Sequence, residues 1–152
     1  MLQRTLCLVK PDGVERRLVG QILTRLENKG FRIVAMRMLK VDNDLAQRHY
    51  AEHVGKPFFG GLIDHITSGP LVALCLEGND AVAGLRGVIG NTNPTKAAAG
   101  TIRGDFALTM GRNLIHAADS PEAAEREIAL FFAPQDLIEH EPVLHRWIHR
   151  ED

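Results

Sequence analysis

Cysteine, aromatic residues and net charge are all scarce in this chain of 152 residues, and each scarcity narrows what it does. Its two cysteines, Cys7 and Cys75, stand far apart inside apolar runs, with no Cys or His beside them. That pattern argues against a disulfide framework or a zinc ligand set, and for two buried, reduced thiols in a cytoplasmic protein. Aromatic residues make up 5% of the chain, and the strand-like segments carry almost none beyond Phe31, so no exposed aromatic platform for RNA is expected. A formal net charge of -1 gives no global basic field for nucleic acid or an anionic membrane, which leaves local cation clusters as the informative charges. No apolar run approaches the ~20 residues of a membrane span. Met1 to Thr5 leads straight into strand-like sequence rather than into a secretory leader. The familiar phosphate loops are missing too: there is no G-x-x-x-x-G-K-[ST] and no G-x-G-x-x-G after a strand. H-E-x-x-H is absent, no carboxylate cluster is dedicated to a metal, and His145 and His149 in the tail read as surface residues.

What is present fits one domain over residues 1–152, with a tail from about residue 133. Thr5 to Val9 reads as a buried strand closed by a turn at Pro11-Asp12-Gly13. Leu18 to Lys29 is an amphipathic helix stopped by Gly30, and Phe31 to Val41 a second strand. Asp42-Asn43-Asp44 caps a helix through Val54, followed by a second short helix from Phe58 to Thr67. Leu71 to Leu76 is the third strand, and Asp80 caps a helix to about Ile89. Gly90 to Arg112 is long and irregular, and a loop of that length inside a compact domain is usually functional. Leu114 to Ala117 is the fourth strand, and Ser120-Pro121 opens a helix to Phe132. This order predicts an α+β, ferredoxin-like split βαβ fold: a four-stranded antiparallel sheet with helices on one face and a helical insertion.

The chemistry concentrates around His116, an imidazole at the end of a short buried strand just before a capped helix. Such a histidine is rigidly aimed, and its neutral form offers one nitrogen as a nucleophile. Helical spacing puts Ala124, Ile128 and Phe131 on the core face of the following helix and Glu127 at the rim of that face. From there an acid reaches back to bind one ring nitrogen and leave the other free. Lys10, Arg86 and Arg103 each stand beside a Gly, Pro or Thr that marks a loop or an element end. Arginine's permanent charge and planar donor fork suit phosphate oxygens. Asp105 either pairs with Arg103 or caps a turn. Together these residues point to phosphate held by fixed cations and attacked by a histidine.

With those residues in place, the chain resembles the nucleoside diphosphate kinases from about Gln3 to Phe132. The strings that carry the resemblance run in order: Val9-Lys10-Pro11-Asp12-Gly13, His49-Tyr50, Lys56-Pro57-Phe58-Phe59, Ser68-Gly69-Pro70, Asn91-Thr92-Asn93-Pro94, Gly100 to Phe106, and Asn113-Leu114-Ile115-His116. The resemblance implies ping-pong transfer of a γ-phosphoryl group between nucleoside triphosphates and diphosphates. His116 matches the phosphorylated residue and Glu127 the acid that orients it. Lys10, Arg86, Thr92 and Arg103 match phosphate-binding positions, and Asn113 and Lys10 match contacts to the sugar hydroxyls. Phe58 matches the aromatic on which the base stacks, Met110 the apolar residue on its other side, and Tyr50 a hydroxyl close to the phosphate and the lysine. Mg²⁺ is implied as a rider on the nucleotide phosphates rather than the occupant of a protein cage. A homo-hexamer is implied over a tetramer by the length of the tail.

Two departures from the family pattern stand out. The chain reads His116-Ala117-Ala118-Asp119-Ser120 where the family usually has His-Gly-Ser-Asp-Ser, so a hydroxyl is gone at Ala118. Ala99 replaces a proline common in the long loop. A histidine phosphocarrier would not explain Phe58, Thr92 and Asn113 beside the cations. An RNA-binding module lacks its aromatics here, and a non-catalytic assembly partner would not need the full set of catalytic residue types.

Overall fold

The computed structural model describes residues 1–141 and 143–150. At its centre, β1 (Leu2–Val9), β2 (Arg32–Leu39), β3 (Leu71–Asn79) and β4 (Ile115–Ala117) form one sheet in the order β2-β3-β1-β4. Every neighbouring pair is antiparallel, with Leu6 opposite Cys75 and Leu8 opposite His116. This is the strand order of the ferredoxin-like fold.

The helices do not stay on one face. Both alternating sets of β1 are apolar: Leu6 and Leu8 point one way, Cys7 and Val9 the other, and none is exposed. A strand apolar on both sides has to be covered on both, at about 1.5–3 kcal/mol of burial for each large aliphatic side chain. The crossover helices α2 (Val19–Lys29) and α5 (Ala81–Ile89) cover the Cys7/Val9 face through Ile22, Leu26, Leu85 and Ile89. The inserted pair α3 (Asn43–His49) and α4 (Phe59–Ile66) covers the Leu6/Leu8 face, together with α7 (Pro121–Phe131), through Ala46, Ile63, Ile66 and Phe131. The one-face expectation therefore holds for the crossover helices and is corrected for the rest. Cys7 and Cys75 belong to the clusters on opposite faces, so the sheet itself separates the two thiols.

Local chemistry sets the element ends. Asp42 caps α3 by accepting from the Leu45 amide at 2.8 Å, and Ser120 caps α7 by accepting from the Ala123 amide at 3.1 Å. Asp80 does not cap α5: its φ is 48° and its side chain makes no capping bond. Gln3 accepts from the Val82 amide in its place, at 2.9 Å. Pro11 opens a short helix α1 (Pro11–Glu15) where a turn was expected. α3 stops at His49 and a 3₁₀ turn follows at Ala51–His53, short of the expected end at Val54. The 90–112 segment holds a 3₁₀ turn at Pro94–Lys96 and a helix α6 (Ile102–Phe106).

Beyond α7 the chain lies along the edge of β2. The Ile138 amide donates to the Val34 carbonyl at 3.0 Å, and Arg32 donates to the His140 carbonyl at 2.7 Å. Glu77 ties Arg32 and Arg4 together at 2.5 and 2.8 Å. A final helix α8 (His145–Ile148) leaves Trp147 76% exposed.

Candidate active site

A cleft of about 740 Å³ opens beside β4, and all ten residues singled out in the sequence line it: Lys10, Tyr50, Phe58, Arg86, Thr92, Arg103, Met110, Asn113, His116 and Glu127. They come from separate segments of chain, from the end of β1 to the middle of α7.

The backbone before His116 is bent to aim it. Leu114 has φ of 72°, a conformation that costs a branched side chain energy and persists only when its surroundings fix it. Two bonds fix it: the Leu114 amide donates to Asp12 Oδ2 at 3.0 Å, and the Lys10 amide donates to the Leu114 carbonyl at 2.8 Å. His65 holds Asp12 in turn, with Nε2 and Oδ1 3.0 Å apart. Past the bend, Ile115 and Ala117 are buried in the core and His116 between them is turned to the cleft. His116 Nε2 lies 2.9 Å from Glu127 Oε1, so Nε2 is the nitrogen bound to the acid and Nδ1 is left as the lone-pair nitrogen. Burial, reinforced by Lys10, Arg103 and Arg86, pulls the imidazole pKa down to about 3. The ring is thus neutral and nucleophilic at physiological pH. Burial pushes the Glu127 carboxyl the other way, upward, against the opposing fields of His49 and Arg126.

The cations are locked rather than free. Lys10 Nζ donates to Asn113 Oδ1 at 2.6 Å, and Asn113 Nδ2 donates to the Thr92 carbonyl at 3.0 Å. One chain of bonds thereby joins β1, the long loop and the turn before β4. Burial, with Arg103 adding to it, lowers the Lys10 pKa to about 8. Arg103 donates to three carbonyls: Asn113 at 3.2 Å, Gly90 at 3.1 Å and Ile115 at 2.5 Å. A guanidinium has five N–H groups, so two remain for an anion in the cleft. Asp105 does not pair with Arg103. It accepts from the Gly100 amide and binds Arg25 at 2.6 Å, which closes the turn ahead of α6. That turn packs so tightly that a Cβ on Gly104 would sit 2.0 Å from the Ala98 carbonyl oxygen. Arg86 reaches from the last turn of α5 to the Ala117 carbonyl at 3.3 Å.

At the other end, Phe58 and Met110 are 51% and 58% exposed, apolar surfaces left open at the cleft. Lys56 and His53 crowd the Phe58 ring, at 5.7 Å and 5.4 Å. Tyr50 is buried, and burial pushes its phenol to about 12, so it stays a neutral hydroxyl. Ala118 does not line the cleft: its methyl packs against Val82 and Ala124 in a small cluster between α5 and α7. Ala99 is exposed in the long loop.

The sequence reading missed His49. Its side chain is wholly buried, edge-on to the His116 ring at 4.6 Å, with Nδ1 3.6 Å from Glu127 Oε1. Potential metal ligands of His49, His116 and Glu127 lie within 4.8 Å of one another, but the short side of that triangle is the His116–Glu127 hydrogen bond itself. His53 and Asp119 were also unassigned and line the cleft. The His49/His53 spacing of four, on a segment read as helix, was the available signal.

A family model described as nucleoside diphosphate kinase matches residues 3–137. A nucleoside diphosphate kinase of Heliobacterium modesticaldum is 53% identical over 147 residues, 97% of this chain and 99% of its own. One of Archaeoglobus fulgidus is 53% identical over 150 residues, 99% of both chains. Among solved structures, a halophilic nucleoside diphosphate kinase from Halobacterium salinarum, in complex with CDP, superposes with a TM-score of 0.96 at 47% identity. It covers 99% of this chain and 100% of its own.

Proposed function

The chain belongs to the nucleoside diphosphate kinase family, and on that premise we propose how its own residues carry out the reaction. The family moves a γ-phosphoryl group from a nucleoside triphosphate to a nucleoside diphosphate through a phosphohistidine. In our reading, the lone pair of His116 Nδ1 forms the N–P bond as the bond from the γ-phosphorus to the β,γ-bridging oxygen breaks, leaving that electron pair on the departing diphosphate. His116 keeps its Nε2 proton, and Glu127 balances the positive charge gained by the ring. A second diphosphate then takes the phosphoryl group by the reverse displacement. Phosphoryl transfer needs positioning and charge stabilisation, which the locked Lys10, Arg86 and Arg103 supply, with Thr92 beside them. Lys10 and Asn113 hold the sugar hydroxyls, and the Tyr50 hydroxyl sits near the phosphate and Lys10. The observation that carries this reading is the 2.9 Å bond that occupies Nε2 and leaves Nδ1 free, on a ring within the field of Lys10, Arg103 and Arg86. The kinetics test it. Enzyme given a triphosphate alone should release one diphosphate per chain without an acceptor, and double-reciprocal plots should be parallel; release only when acceptor is present would refute it.

Mg²⁺ suits this cleft when it arrives on the nucleotide, where it would neutralise and align the phosphate oxygens. The lining offers cations and amides, with Asp119 and Glu52 as its exposed acids able to meet a hydrated ion.

Phe58 gives a base a flat apolar face, which suits every base alike. Phe58→Ala should raise the KM for purine and pyrimidine nucleotides about equally, by roughly 1–3 kcal/mol of lost stacking. A loss confined to one base would point to recognition of the base edge instead. The pKa shifts also set the pH profile. Lys10 is charged below about 8, so kcat/KM should fall as pH rises through that value. His116, held at about 3, should contribute no acid limb near the ordinary histidine value of 6.5. The acid limb belongs to Glu127, whose carboxyl burial makes easier to protonate. A kcat/KM flat from pH 7 to 9.5 would contradict the Lys10 assignment.

We read residues 1–152 as one domain working in the cytoplasm, where the thiols of Cys7 and Cys75, raised to about 12 and about 11, stay protonated and reduced. No helix of the described residues is long and apolar enough to cross a membrane. The tail supports a homo-hexamer, with a tetramer as the runner-up. Ile138, Val143, Leu144 and Trp147 are each more than half exposed, an apolar set best covered by a neighbouring copy. Light scattering should give about 100 kDa, six times 16.8 kDa. A mass near four chains would reject the hexamer, and one near a single chain would reject the argument from the tail. Truncation after Phe132 should lower the melting temperature or the assembly state while leaving labelling of His116 in place.

A further inference from the structure

Glu127 is set an awkward task. Its carboxylate is 3% exposed and must stay ionised to balance the charge that phosphorylation places on His116. Yet among the described residues its Oε2 has no hydrogen-bond partner, and Oε1 has only His116 within bonding distance. A buried carboxylate with one donor lies far from the two or three that normally hold such a group ionised. Directly behind it stands a second buried polar group with nothing to bind. His49 closes α3 with a side chain of zero exposure, and neither Nδ1 nor Nε2 has a partner among the described residues. Its Nδ1 lies 3.6 Å from Glu127 Oε1, a few tenths of an ångström beyond a hydrogen bond. The ring is wedged edge-on among Tyr50, His116 and Phe131, at centroid distances of 4.6, 4.6 and 5.4 Å, so it is held in place against that oxygen.

We propose that His49 is a positioning residue for phosphoryl transfer: as the neutral Nδ1–H tautomer it donates to Glu127, keeping that carboxylate ionised and aimed at His116 Nε2. The inference rests on the role given above to His116. His49 gives up no proton and forms no bond to phosphorus; its N–H tightens onto Oε1 as charge builds on the neighbouring ring. Burial and the field of His116 hold His49 at a pKa of about 3, so it serves as a neutral donor across the working pH range. The charged and titratable groups around the pair are few. His116 faces it from β4, Lys10 from the end of β1, Arg126 from α7, Asp119 from the turn before α7, and the Tyr50 phenol from the end of α3. Arg126 favours ionised Glu127 and Asp119 opposes it, while Lys10 acts on the two imidazoles; neither Lys10 nor Arg126 donates a hydrogen bond to Glu127 among the described residues.

The test compares His49→Leu, which removes the donor at similar volume, with His49→Asn, whose amide reaches the place of Nδ1–H. Single-turnover phosphorylation by Mg-ATP is followed from pH 5 to 9, with nucleotide KM measured alongside. The leucine variant should phosphorylate more slowly by on the order of tenfold, the weight of one hydrogen bond to a charged group. Its acid limb should move to higher pH, with KM unchanged. Asparagine should restore most of the rate and return the limb toward its original place. In a Glu127→Gln background, adding His49→Leu should cost nothing further. Should the leucine protein not fold, His49→Gln replaces it, because its amide reaches the Nε2 side instead. The proposal is overturned if the donor-less variant keeps the original rate and pH profile, or if asparagine is as impaired as leucine with the same limb. Absence of any phosphorylation in the unmodified enzyme would instead overturn the role of His116 itself.

Discussion

Replacing His116 with alanine should abolish exchange between triphosphates and diphosphates, by on the order of 10⁶-fold, the size of loss that follows removal of a covalent nucleophile. The side chains around His116 are not placed to substitute for it. Lys10, Arg86 and Arg103 are cations that, in the proposed mechanism, hold phosphate, the Tyr50 phenol is pushed up to about 12, and Glu127 is turned onto the imidazole. The fold should survive, because His116 is half-buried and its loss opens a polar gap at a cleft rather than in either core cluster. Nucleotide should still bind, so a variant that loses exchange yet retains nucleotide affinity fits the account. Undiminished exchange would rule out the mechanism.

Arg103→Ala should have the second largest effect, and on two properties together. In the proposed role of a cation facing the transferring group, an arginine is worth roughly 10³-fold or more in phosphoryl transfer. As a clamp, Arg103 satisfies the carbonyls of Gly90, Asn113 and Ile115, which belong to the long loop, the turn before β4 and β4 itself. Leaving them without a donor costs on the order of 3 kcal/mol, a fall of roughly 10 °C in melting temperature for a chain of this size. Arg103→Lys separates the two roles: it keeps the charge but cannot span three carbonyls. Activity near the original with full stability in the lysine variant would show that the clamp is unimportant.

Much of this was legible in the chain. The apolar run from Thr5 to Val9, the Gly30 stop and the Ser120-Pro121 start led to real strands and helices, because each rests on local backbone chemistry. Helical spacing alone pairs Glu127 with His116, and the two lie 2.9 Å apart. What escaped depends on contacts between distant segments. The second covered face follows from Leu6 and Leu8 being as apolar as Cys7 and Val9, a pattern that period alone does not divide between faces. The partner of Arg103 proved to be backbone, and carbonyls carry no signature in a sequence. Asp105 found Arg25, eighty residues before it in the chain. His49 looked like one more helix residue, since only the packing of α3 against α7 brings it behind Glu127.

The bond between Nε2 and Glu127 sets which nitrogen of His116 should carry the phosphoryl group. The enzyme should be incubated with ATP labelled in the γ-phosphoryl group, and the isolated intermediate digested and resolved by phosphorus NMR and mass spectrometry. The account predicts up to one acid-labile, base-stable phosphoryl group per chain, on Nδ1 of His116, discharged by added GDP or CDP. Label on Nε2, on another residue, or bound but not passed to a diphosphate would contradict it.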